Sequence, residues 1–277
     1  MEALEPYAAR LGHRRSPGCN SPPPRSSSRL ASNHTAADLS YFTMDSQYDS
    51  RVDPRAVINL DLAARTAFLA RVYSHLFGAL VAFTLIEIAL FTSGLGKTMA
   101  EAMLGTSWLL VLGAFMIVGW FATRLAHTTR SLPAQYMALG GYVVAEAIIF
   151  VPLLYLADLK GGGGVIASAG FVSLAGFTGL SAIAIFSKKD FSFLGGLIKW
   201  GMMIALGLIV AGVIFGFDLG LFFSFAMVGL AGAAILYDTQ RIFHEYPEDR
   251  YVGASLQLFA SVALLFWYVL RIFMSRD

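Results

Sequence analysis

Three carboxylates stand inside runs that are otherwise apolar: Glu87 in VAFTLIEIALF (81–91), Glu146 in YVVAEAIIF (142–150) and Asp238 at the end of AGAAILYD (231–238). A charged side chain near the centre of a bilayer costs about 2.5–3.5 kcal/mol even on the lenient insertion scale, so such acids face a bundle interior and pair or titrate there. Glu87 and Glu146 fall at mid-depth or somewhat outward in their runs, which makes them the candidate residues of an ion pathway. Asp238 lies at the cytoplasmic end of its run, where it either gates such a path or is simply solvated. Lys199 is expected to snorkel to the headgroups. His75, one turn after Arg71, is expected to be interfacial and not a proton relay.

Catalytic chemistry of the soluble kind finds no support. The chain has no HExxH, GxSxG or CxxC, and its histidines at 13, 34, 75, 127 and 244 are scattered over tail, loops and interface. An intramembrane hydrolase would want a Ser–His pair or two aspartates on facing helices, so the chain is not read as an enzyme. No cofactor is expected and no metal-ligand set is identified. GGGG at 161–164 lacks the strand and the Lys-Ser/Thr of a phosphate loop and is read as a flexible outer turn. The single cysteine, Cys19, offers no intramolecular disulfide, and a net charge of +2 gives no reason to expect nucleic acid as a partner.

The elements that must position these acids follow from composition. Of 277 residues 57% are hydrophobic and only 14% charged, and the mean hydropathy is +0.65, values that a soluble domain rarely reaches. The apolar residues fall in blocks of about 20, the length a helix needs to cross a hydrocarbon core of ~30 Å. Seven spans are predicted, at 72–92, 107–124, 134–156, 164–186, 194–216, 219–238 and 253–274, each a helix because lipid cannot satisfy a bare backbone. Small residues, as in SAGFVSLAGFTGLSAIA (168–184) and AGVIFG (211–216), mark close-packing faces.

Basic residues orient the bundle. Arg51, Arg55, Arg65 and Arg71 precede the first span; Arg124 and Arg130, Lys188 and Lys189, and Arg241 and Arg250 occupy loops on the same side, against Lys97, Lys160, Arg271 and Arg276 opposite. The asymmetry predicts a cytoplasmic N-terminus and, after seven spans, an external C-terminus. Residues 1–43, with SPPPRSSSR, are too poor in apolar residues to fold and are expected to be a disordered tail, or to precede a true start at Met44. Residues 44–71 then form a cytoplasmic leader and 72–277 the membrane domain.

Three segments carry a family likeness. FSKKDFSFLGG (186–196), LYDTQRI (236–242) and ASLQLF with WYVLRIF (254–259, 267–273) resemble, in order and at the ends of the spans, the matching segments of the Bax inhibitor-1 family, the transmembrane Bax-inhibitor-motif proteins, in its bacterial YccA-like branch. The likeness covers the chain from about Asp45 onward. It implies an all-α, seven-helix bundle with a central seventh helix, in a bacterial inner membrane.

For several members the resemblance also implies a pH-sensitive calcium leak, in which two aspartates on the sixth and seventh helices share a proton and are latched by an arginine from the second. Close carboxylates cannot both ionise cheaply, which is how such a pair senses pH. Asp238 matches the first aspartate and Arg124 the latch, but the second acid's place falls at Ser261, which can donate a hydrogen bond and cannot share a titrating proton. The expected gate or latch is therefore Asp238, Arg124 and Ser261.

Two functions stay open. One is a cation leak, for calcium, whose hard oxygen ligands these acids would supply. The other, implied by YccA-like relatives, is a regulator that binds a membrane-bound ATP-dependent protease of the FtsH type through the leader. The lipid bilayer is a partner in either case.

Overall fold

The computed structural model describes residues 57–129, 131–187 and 189–275; the tail 1–43 and residues 44–56 of the leader lie outside the described residues. A short 3-10 turn, Val57–Asn59, precedes α1 (Leu62–Thr92), α2 (Leu95–Leu104) and α3 (Trp108–Thr128). The next helical stretch, Leu132–Phe186, is 55 residues long and is broken at Gly162, where φ is 66° and ψ is −171°. We number its halves α4 (132–161) and α5 (163–186). α6 (Leu194–Phe215), α7 (Gly220–Glu245), a second 3-10 turn (Glu248–Arg250) and α8 (Tyr251–Met274) complete the chain.

The break at Gly162 is what makes the count seven. A straight 55-residue helix would run about 80 Å, far more than a bilayer of about 40–45 Å including headgroups. Both ends of the stretch instead meet the same end of the bundle. At one, Gln135 donates from Nε2 to the carbonyl of Asp249 (3.2 Å) and accepts the Gly253 N–H (3.2 Å). At the other, the Phe191 N–H donates to Gln240 Oε1 (2.7 Å) and Gln240 Nε2 to the Lys189 carbonyl (3.0 Å). The chain therefore reverses at Gly162, in a backbone conformation that side chains strongly disfavour. GGGG was expected to be a flexible turn; it is a single-residue break between two helices. Hydropathy could not distinguish the two.

With the 55-residue stretch divided at Gly162, seven helices among the described residues, α1 and α3 to α8, are long and apolar enough to span a membrane. α2 is the exception: ten residues rise about 15 Å, so it lies in the connection between the first two spans, where no element was expected. Asp61 caps α1 by accepting the Ala64 N–H on Oδ1 (2.9 Å). Within the spans, several hydroxyls return to their own helix, as Thr84 does to Leu80 and Ser173 to Ala169.

α8 is the axle of the bundle. It packs against α1, α3, α7 and the α4–α5 pair, and its residues from Val252 to Leu256 are all buried. Phe150 of α4 stacks on Phe266 (5.5 Å) and meets Trp267 edge-on (5.0 Å), while Phe83 of α1 meets Phe150 edge-on (5.2 Å). The protein is an all-α, seven-helix membrane bundle, as the hydropathy indicated, with a central last helix, as the family resemblance implied. Val57, the helix ends at Thr128 and Glu245, and the starts of α4 and α8 gather at one end, together with Arg65, Arg71, Lys189, Arg241 and Arg250. That basic end is the cytoplasmic one.

Candidate functional site

Asp238 lies about 10 Å before the end of α7, and Ser261 about 15 Å into α8 from its start, so the antiparallel pair brings them level. Ser261 Oγ donates to Asp238 Oδ2 at 2.6 Å. Gln257, one turn before Ser261, directs Nε2 at both carboxyl oxygens from 3.4 Å. Asp238 and Ser261 are 5% and 6% exposed, which makes this a buried acid met by donors from the central helix.

Arg124 does not complete the expected latch. Its side chain is exposed at the end of α3, with the guanidinium over the Trp120 ring (5.5 Å). A long basic side chain at a helix end gains more by lying along an aromatic face toward the headgroups than by entering the bundle. Lys97–Glu101 and Arg241–Glu245 form ion pairs, and Arg241, one turn on from Asp238 in α7, lines the same cavity as that acid.

Glu146 is also buried, and Tyr142, one turn earlier in α4, lines the same cavity. A cavity of about 1240 Å³ is lined by Glu146, Asp238, Ser261 and Gln257 together. Its lining continues to Arg241 and Glu245 at the cytoplasmic end, and to Lys160, Asp218 and Arg271 at the other. Lys199 borders it and is exposed, as expected of a snorkelling side chain.

Glu87 stands apart. It lines a separate cavity of about 680 Å³, bounded by α1, α4, α5 and α8, and the structure does not bring it together with Glu146. The two acids share a depth class in sequence but point to different spaces. Among the described residues no three acidic, histidine or cysteine side chains converge as a metal-binding group. His75 is interfacial: Nδ1 meets the Arg71 carbonyl (2.7 Å) and must donate, leaving Nε2 to accept the Tyr136 hydroxyl (2.7 Å).

Sequence reading missed Gln257 and Tyr142. Each lies four residues before a residue that was singled out, so the i, i+4 rule on one helix face would have found both. Gln135, fully buried and clamping the α7–α8 turn, has no comparable signal.

At the cytoplasmic end the leader is tied down. The Val57 N–H donates to the Tyr246 carbonyl (2.9 Å), and Arg65 donates to the carbonyls of Leu60 (2.9 Å) and Ile58. Val57 and Tyr246 are both buried, and burial holds the Tyr246 hydroxyl above the ordinary phenol range.

A seven-helix membrane bundle with a buried acid held by its central helix defines the class of protein. The chain belongs to the Bax1-I family, described as inhibitor of apoptosis-promoting Bax1, which it matches over residues 65–277. It is similar to an uncharacterized protein of Pseudomonas aeruginosa, 32% identical over 166 residues, covering 59% of this chain and 72% of that one. It is similar also to the modulator of FtsH protease YccA of Escherichia coli, 29% identical over 200 residues (70% and 89%), and to Bax inhibitor 1 of Schizosaccharomyces pombe, 29% over 171 residues (60% and 61%).

Proposed function

We propose that this chain modulates a membrane-bound ATP-dependent protease of the FtsH type from the bacterial inner membrane. The observation that carries the reading is its similarity to the modulator of FtsH protease YccA across 89% of that protein. The seat of the leader adds to it. Residues 57–60 are fixed to the turn after α7, so a protease that grasps the preceding polar segment pulls directly on the helix that holds Asp238. Co-purification of FtsH with the full chain, and with a chain lacking residues 45–56, tests this. Loss of the protease from the shortened chain is the expected result; equal recovery, with unchanged turnover of FtsH substrates, overturns it.

A second reading, a calcium leak, is favoured by one observation: the cavity of about 1240 Å³ that joins Glu146 to Asp238 and reaches charged residues at both ends. Two buried acids along one cavity give a passing cation oxygen ligands where lipid gives none. Glu87, in its own cavity, is not on this route. Calcium uptake by proteoliposomes should fall in Glu146→Gln and Asp238→Asn, while Glu87→Gln should leave it intact. Absence of uptake in the wild type at both acidic and neutral pH removes this reading and leaves the first standing.

A further inference from the structure

Glu87 is 6% exposed, and neither of its carboxyl oxygens has a hydrogen-bond partner. An acid buried in a membrane bundle is expensive unless something pairs with it, and among the described residues no group hydrogen-bonds to this one. The hydroxyls of the lining, those of Thr84 and Ser173, are already committed to the carbonyls of Leu80 and Ala169.

The surrounding space says what is missing. The cavity of about 680 Å³ lies within the range of small-molecule sites, about 300–1,000 Å³. Glu87 and Asp158 are the charged residues of its lining, which holds no lysine, arginine or histidine. Phe77, Phe83, Phe91, Phe150, Phe259 and Phe266 supply aromatic walls. A hard divalent cation would want six to eight oxygens and finds too few here. An ammonium group suits both parts of the lining, since it can pair with a carboxylate and lie against phenyl faces, and its apolar body fills the remaining volume.

Access is from the lipid. Phe77, Val81, Leu85 and Ile88 line the cavity and are also among the exposed apolar residues of α1. Glu87 is five residues from the end of α1, about 8 Å below it, a depth that an amine anchored near the headgroups can reach.

We propose that the Glu87 cavity binds a lipophilic ammonium, an amine cation carried on an apolar chain that enters from the bilayer. The inference is independent of both functional readings, which place nothing in this cavity.

The test uses the full chain in phosphatidylcholine nanodiscs with radiolabelled dodecylamine as the probe. Saturable binding is expected, undiminished by excess dodecanol, which has the chain without the charge. Glu87→Gln should weaken it at least about tenfold, in keeping with the loss of a charge-assisted bond. Gly170→Leu provides a second variant that leaves the acid in place: Gly170 lines the cavity, and a Cβ there meets only Phe266 at 4.0 Å, so a side chain has room to start. It too should abolish saturable binding while thermal unfolding stays cooperative. Displacement of the probe by phosphatidylethanolamine discs assigns the ammonium to a lipid headgroup, and no displacement assigns it to a free amine. Absence of saturable binding in folded wild type, equal competition by dodecanol, or wild-type affinity in both variants overturns the proposal.

Discussion

The contact between α7 and α8 can be measured as an energy. Ser261→Ala removes the donor at 2.6 Å from Asp238 and leaves only the Gln257 amide at 3.4 Å, near the outer limit of a useful hydrogen bond. Neutral interhelical hydrogen bonds in membrane bundles average about 0.6 kcal/mol and reach about 1.7, whereas bonds to charged groups are worth about 1.5–3. Asp238→Asn would still accept from Ser261, so the informative partner change is Asp238→Ala. Reversible unfolding in mixed micelles, followed by circular dichroism, should be measured for the wild type, Ser261→Ala, Asp238→Ala and the double variant. A charge-assisted bond should give a coupling energy of at least about 1.5 kcal/mol in that cycle. Additivity within about 0.5 kcal/mol would mean that the two side chains do not bond in the folded protein, and the proposed role of α8 in holding the acid would fall with it.

Three other outcomes follow from the geometry. Gly162→Ala forces a side chain into a backbone conformation at φ 66° and should cost about 1–3 kcal/mol, seen as a lower unfolding midpoint, whereas Gly229→Ala, with open space around it, should cost little. Gly253→Ala would place a Cβ 2.9 Å from the Ala126 carbonyl oxygen, a backbone atom that cannot yield, and should destabilise the α3–α8 contact by about 1–3 kcal/mol in the same assay. In the loop before α6, the Ser192 side chain and N–H both donate to Asp190 and hold its carboxyl below the ordinary aspartate range. Its ordering effect is therefore present above the unfolded aspartate pKa of about 3.9 and lost as pH falls through the lower folded value, so amide exchange at Ser192 should accelerate only in that acidic window and be insensitive to it in Asp190→Asn.

Bilayer thickness made the fold legible. Blocks of about 20 apolar residues admit one solution, a spanning helix, and the basic residues choose its direction. The same logic was blind to α2, which is too short to span, and to Gly162, because four glycines read alike as a loop or as one helical break. Ser261 was reached through the family resemblance, and on α8 it meets Asp238 across the helix pair. Arg124 was not, since hydropathy places a basic residue at a depth and leaves open whether it turns inward or lies on Trp120.

Glu87 and Glu146 show the same limit more sharply, and it bears on function. Sequence gives each acid a depth, but its partner depends on how its helix is rotated, and rotation is set by packing against neighbours. α4 turns Glu146 toward the cavity of Asp238; α1 turns Glu87 toward phenyl rings and a space without a base. Two carboxylates that composition would treat as one pathway thus meet different environments, one with basic side chains in its cavity lining, the other with none. Their consequences should separate in the same preparation: Glu146→Gln should alter any calcium movement and leave amine binding intact, and Glu87→Gln should do the reverse. A shared loss of both properties would mean that the two cavities communicate in the membrane, and the division between them drawn here would have to be abandoned.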